Sequence, residues 1–143
     1  MLVQRFALIL GIVYLIAGIL GFFPALLTAP DPSHVGSLRM EAFHGRLFGL
    51  FPVNILHNLV HLGVGIWGMT AAREFNGSVS FARGLTVLYG ILAVMGLFPV
   101  LNTLFGLVPL HGHDIWLHAV TAAVAAYFGW GAPARARTET PAI

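Results

Sequence analysis

Charge is scarce in this sequence. Its 143 residues include seven arginines, no lysine and five acids, so 8% is charged, against about 25% in soluble domains. A surface facing water cannot be built from so few charges, which points to lipid as the solvent around most of the chain. Cysteine is absent. Disulfides, thiolate metal sites, iron–sulfur ligation and cysteine nucleophiles are thereby excluded. The arginines are scattered singly and the net charge is +2, so no basic patch for nucleic acid exists. There is no phosphate-binding Walker loop, no nucleotide-binding glycine fingerprint and no Ser/His/Asp arrangement with supporting spacing.

What is present is apolar: 58% of the residues. Four apolar segments stand out. They are Phe6–Leu27, a second running from near Leu47 or Asn54 to Ala72, Ala82–Leu101, and Ile115–Gly131. The first would span a hydrocarbon core of roughly 30 Å as a helix. It exceeds a secretory h-region, and Pro30 follows the only cleavage-like site, Leu27-Thr28-Ala29. The expected fold class is all-α: a four-transmembrane-helix bundle occupying residues 1–131 as a single domain. Residues 132–143, rich in Pro, Ala and Thr, read as a disordered cytoplasmic tail. The connection Thr28 to Arg46 is long and polar. The connection Arg73–Phe81 is short and contains the turn pair Asn76-Gly77.

Orientation follows from arginine placement. Arg5, Arg73, Arg83, Arg135 and Arg137 fall on one side, and Arg39 and Arg46 on the other. The positive-inside rule then puts both termini in the cytoplasm, with Trp67, Trp116 and Trp130 at the interfaces. The expected location is a bacterial inner membrane.

An internal repeat is visible. Tyr14-x-Ile16 followed by Gly21-Phe22-Phe23-Pro24 matches Tyr89-x-Ile91 followed by Gly96-Leu97-Phe98-Pro99. A Gly-apolar-apolar-Pro signature recurs at Gly49–Pro52 and Gly106–Pro109. Two helical hairpins in a parallel repeat, related by an axis along the membrane normal, would produce this pattern. Abundant Gly, Phe and Pro at membrane helix ends are the plainer explanation.

The chemistry concentrates in Pro52–His61 and Asp114–His118. His57 and His61 are four residues apart and share a helix face, with Asn58 beside them. Asp114 and His118 repeat that spacing. Asn54 and Asp114 are both suited to N-cap their helices. Ionisable groups inside a membrane helix are costly and normally face the interior or a wet cavity. Neutral histidines acting as interhelical hydrogen-bonding glue are one explanation. Haem or chlorin ligation by His57, His61 and His118 with Asn58 nearby is another, with Arg39 and Arg46 available for propionates. A metal ion held by His57, His61, His118 and Asp114 is a third. Proton or quinone handling is a fourth. The small residues of the fourth segment and Gly63, Gly65 and Gly68 of the second read as packing positions.

The segment Gly49-Leu50-Phe51-Pro52-Val53-Asn54-Ile55-Leu56-His57-Asn58-Leu59-Val60-His61-Leu62 resembles a family of small bacterial membrane proteins classed only as a domain of unknown function (DUF4383). The resemblance covers most of the chain and matches Asp114-x-x-Leu117-His118 loosely. It implies a four-helix membrane bundle and no established reaction. The architecture is also distantly similar to DoxX-type four-helix proteins, some linked to quinone redox chemistry. The leading functional expectation is a non-catalytic accessory or scaffolding subunit of a membrane complex, in contact with lipid and other membrane proteins. The alternative is a haem-, chlorin- or metal-binding redox protein built on the histidines.

Overall fold

The computed structural model describes residues 1–131; the expected tail at 132–143 lies outside the described residues. Four long helices dominate: α1 (Leu2–Leu20), α2 (Ile55–Ala71), α3 (Phe75–Gly96) and α4 (His113–Ala126). A π turn, Tyr127–Gly131, continues α4. Two of the helices, α1 with 19 residues and α3 with 22, are long and apolar enough to cross a membrane. The 17-residue α2 and 14-residue α4 are shorter than that standard.

Helix α1 stops seven residues before the apolar run does. Pro24 lacks the N–H a helix needs and restricts the residue before it, so Pro24–Leu26 forms a 3-10 turn instead. Leu27–Thr28 then becomes strand β1, which pairs antiparallel with β2 (Gly45–Leu47); β2 pairs antiparallel with β3 (Phe51–Val53). The first connection, expected as a polar loop, is thus a small three-stranded sheet that feeds α2. Of the two expected starts for α2, the structure takes the later one. Asn54 caps it, accepting the His57 backbone N–H at 2.9 Å. The Asn54 amide nitrogen also donates to the carbonyls of Met40 (2.9 Å) and Leu107 (2.7 Å), tying both outer connections to this cap.

Asn76-Gly77 does not form the expected turn. Both residues lie in the first turns of α3, and Ala72, Arg73 and Glu74 make the link. The physical reason is a close helix–helix corner: a Cβ on Gly77 would sit 3.1 Å from the Ala71 carbonyl. Ser78 Oγ completes the corner by donating to the carbonyls of Ala71 and Glu74.

Helices α1 and α2 pack antiparallel through small residues. A Cβ on Gly11, Gly65 or Gly68 would fall within 3 Å of the facing backbone, the close approach that small residues permit. Helices α3 and α4 pack against each other in the same sense, Gly96 meeting Ile115 and Gly129 meeting Arg83. At the centre, Ala7, Tyr14, Phe81, Leu85, Tyr89 and Ala125 form the apolar core.

The distribution of polarity is inverted relative to a water-soluble protein. Asn54, Asn58, Ser78, Asp114 and His118 are buried, while Ile9, Ile12, Ile16, Ile66, Val87, Ile91, Val94 and Val120 are exposed. The burial pattern also recurs. Buried Val3, Ala7, Tyr14, Gly18 and Gly21 lie 75 positions before Ser78, Ala82, Tyr89, Ala93 and Gly96, all buried. Buried His57, His61, Val64, Gly65 and Gly68 lie 57 positions before Asp114, His118, Thr121, Ala122 and Ala125, again all buried. Phe48-Gly49 and Phe105-Gly106, also 57 apart, share positive φ angles of 54° and 74° in one copy and 59° and 85° in the other.

Candidate functional site

The helical spacing that places His57 and His61 on one face of α2 turns both into the interior. Their Nε2 atoms are 3.0 Å apart, a hydrogen bond in which one imidazole donates and the other accepts. Helix α4 presents Asp114 and His118 to the same place. Asp114 Oδ2 lies 3.7 Å from His57 Nε2 and 3.7 Å from His118 Nε2. The ligand atoms of His57, Asp114 and His118 all fall within 4.8 Å of one another. His61 is outside that trio and joins it through His57.

Asp114 departs from its expected role. It does not cap α4: Gly112, with φ of 66°, occupies the N-cap and Asp114 sits inside the first turn. Its side chain faces the histidines with 0% exposure. Neither carboxylate oxygen has a hydrogen-bond partner among the described residues. Burying such a group without a partner is expensive, by several kcal/mol for an ion. A carboxylate in that setting calls for a cation or a donor, or takes up a proton.

Asn58 lies one step around α2 and packs on the end of α1, where a Cβ on Gly21 would collide with its amide. That amide is fully buried and, among the described residues, has no hydrogen-bond partner. It therefore flanks the histidine face without entering the trio. Two tyrosines form the inner boundary. Tyr14 meets His61 edge-on with ring centroids 5.0 Å apart, and Tyr89 is 5.0 Å from the His118 ring. Tyr14 Oη and Thr121 Oγ1 are 3.2 Å apart, a hydrogen bond linking α1 to α4. In the sequence these tyrosines stand out through their shared register, 75 positions apart.

The outer connections add a second histidine pair. His34 and His111 stack face to face, 3.6 Å between centroids and 9° between planes. Burial pushes the His111 imidazole down to about 4, and the neighbouring His34 charge pushes the same way. Asp31, held low by hydrogen bonds from Ser33, stands nearby. Arg46, expected near a propionate, donates through Nε to the Ala29 carbonyl at 3.0 Å.

Two cavities reach the centre. One, of about 120 Å³, is bounded by His57, His61, Tyr89, Leu92, Val108 and His118. The other, of about 340 Å³, ends on His61 and Asp114.

A family model described as a domain of unknown function (DUF4383) matches residues 4–131. No curated protein and no solved structure matches the chain.

Proposed function

This chain belongs to the DUF4383 family, and we propose that it is an integral membrane protein whose buried His–Asp centre holds one divalent transition-metal ion. The observation that carries this reading is Asp114. Its carboxylate is buried, has no donor among the described residues, and faces two imidazole nitrogens at equal distances of 3.7 Å. A tetrahedral ion with bonds of about 2.0–2.2 Å sets its ligands roughly 3.4 Å apart, close to the two 3.7 Å separations; the third pair lies within 4.8 Å, and on binding, His57 Nε2 would exchange its hydrogen bond with His61 for a bond to the ion. Imidazole with carboxylate suits zinc and the neighbouring first-row metals. A macrocycle held between His57 and His118 would need more room than the 120 Å³ cavity beside them, since pockets for such ligands run to about 300–1,000 Å³; the larger cavity reaches His61 alone of the three imidazoles.

The membrane reading is supported by the exposed apolar faces of all four helices and by the polar interior they enclose. Helices α2 and α4 cross as the inner parts of two hairpins, their outer ends extended by the sheet and by residues 102–112. An open three-stranded sheet leaves its two outer edges unpaired, which the hydrocarbon core does not tolerate, so the β1–β2–β3 sheet belongs at the outer interface. The recurring burial at offsets of 75 and 57 supports two hairpins in a parallel repeat. In that arrangement Tyr14 meets its counterpart Tyr89, and His57 meets its counterpart Asp114, so the centre lies on the axis. Both termini are cytoplasmic by the arginine distribution.

The test is metal content. Protein purified without chelator should carry one transition-metal ion per chain. His57→Ala, Asp114→Ala and His118→Ala should each lose it, whereas His111→Ala should keep it. Metal-free protein, in which the same substitutions lower thermal stability only modestly, would replace this reading with that of a structural accessory subunit.

A further inference from the structure

We infer that the seam between α1 and α4 is a binding site for a lipid-soluble molecule with a single hydroxyl head, such as an alkylated phenol, which enters from the side. The cavity there, about 340 Å³, is within the range of small-molecule sites of about 300–1,000 Å³. Its walls are hydrocarbon: Ile16 and Leu20 of α1, Phe48 and Phe51 around β3, and Leu117 of α4. Its polar lining is confined to His61 and Asp114. At the rim, Val13, Ile16 and Phe48 are exposed, so the cavity opens on the apolar outer face rather than toward the polar connections. The Tyr14–Thr121 hydrogen bond closes the seam one turn further in.

The head is chosen by what the end of the cavity lacks. Neither oxygen of Asp114 has a partner among the described residues; ionised, the group only accepts, and protonated it offers one donor beside an accepting oxygen. His61 accepts or donates according to its tautomer. A hydroxyl group both donates and accepts, so it suits the carboxyl group in either state and either tautomer of the imidazole, and its apolar body replaces lipid along α1. An ammonium head would have to leave water as an ion and cross hydrocarbon walls, which costs far more than moving a hydroxyl.

The opposite seam shows that this cavity is a specialised one. Between α3 and α2, the 120 Å³ cavity is lined by Leu88, Leu92, Leu104, Val108, Val60 and His118. These lie 75 or 57 positions from Val13, Ala17, Leu47, Phe51, Leu117 and His61, the lining of the larger one. The two cavities are counterparts, and they differ at the residue that completes each end: His57 in the small one, Asp114 in the large one. The inference stands without a bound ion, because the carboxylate and His61 are enough to hold the head.

The test uses a photoreactive alkylphenol carrying a diazirine on its chain, with the full-length protein in phospholipid nanodiscs. Labelling should map to residues 13–20 and 48–51. Excess 4-octylphenol should compete at least tenfold better than octylbenzene or octylamine. Ala17→Phe, which fills the seam away from the centre, should abolish labelling and leave metal content unchanged; Asp114→Asn should weaken it at least tenfold. Equal competition by octylbenzene would identify an ordinary lipid chain as the occupant and overturn the inference. Better competition by octylamine, or labelling indifferent to Ala17→Phe, would overturn it too. Loss of metal in the unsubstituted protein with labelling intact would sink only the metal reading.

Discussion

Asp114 and His57 face each other at 3.7 Å from register positions 57 residues apart. One position in the pattern is therefore filled by an acid in one half and by an imidazole in the other. Residues in such direct contact should not act independently. His57→Ala and Asp114→Ala should each destabilise the protein, and the double substitution should cost less than their sum by about 0.5–3 kcal/mol. Thermal or denaturant unfolding of these three variants and the unsubstituted protein in detergent measures that difference. Strict additivity would show that the pair does not interact.

Tyr14→Phe removes the hydrogen bond to Thr121 and nothing from the ring packing. Interhelical hydrogen bonds inside membranes are worth about 0.6–2 kcal/mol. Unfolding should become easier by that amount, and Thr121→Val should reproduce the loss with little further effect in combination.

Two glycine substitutions should separate packing from propensity. A side chain at Gly65 would meet the Leu15 backbone at 2.6 Å, whereas one at Gly90 would meet nothing within 4 Å. Gly65→Leu should therefore cost on the order of 3 kcal/mol or more and lower the folded yield. Gly90→Ala should be neutral or stabilising by up to about 1 kcal/mol. Fluorescence size-exclusion profiles after a heating series would rank the two.

Stability should fall on mild acidification through His111. Its imidazole takes a proton near 4 when folded, against an ordinary 6.5. Between those values the unfolded chain holds more protons, so stability declines as pH drops from about 6.5 toward 4. Above that window the contribution is constant. Unfolding followed between pH 7.5 and 4.5 should show the decline, and His111→Asn should flatten part of it. An unchanged slope in His111→Asn would remove His111 as its source.

Cytoplasmic termini predict that a reporter fused after Ile143 works only if it is one that matures in the cytoplasm. A periplasm-dependent reporter active at that position would reverse the topology and place the His–Asp centre toward the inner side.

Much of this arrangement was legible along the chain. Four apolar segments, the Asn54 cap and the shared face of His57 and His61 follow from local periodicity and spacing. The sheet was not legible, because Leu27 pairs with Leu47 and Gly45 with Val53. Strands of two or three residues carry no alternation to detect, and their pairing is decided by partners far away in sequence. Asp114 misled for a different reason. An acid before an apolar run has the form of a cap, yet the neighbouring Gly112 could make the turn, freeing the carboxylate to point inward. Asn76-Gly77 has the composition of a turn; the crowded corner with Ala71 made glycine useful inside a helix instead.

Asn54 carries a kinetic consequence. A single side chain caps the helix that bears His57 and grips the carbonyls of Met40 and Leu107, one from each outer connection. Asn54 is thus one of several ties that hold the outer connections over the centre, beside the His34–His111 stack and the bond from the Arg39 backbone N–H to the Gly106 carbonyl. If the centre holds the proposed ion, that ion reaches water on this side only when these ties open together. Removal by a chelator should then proceed at the opening rate, indifferent to how much chelator is added, and Asn54→Ala, which cuts one of the ties, should raise that rate.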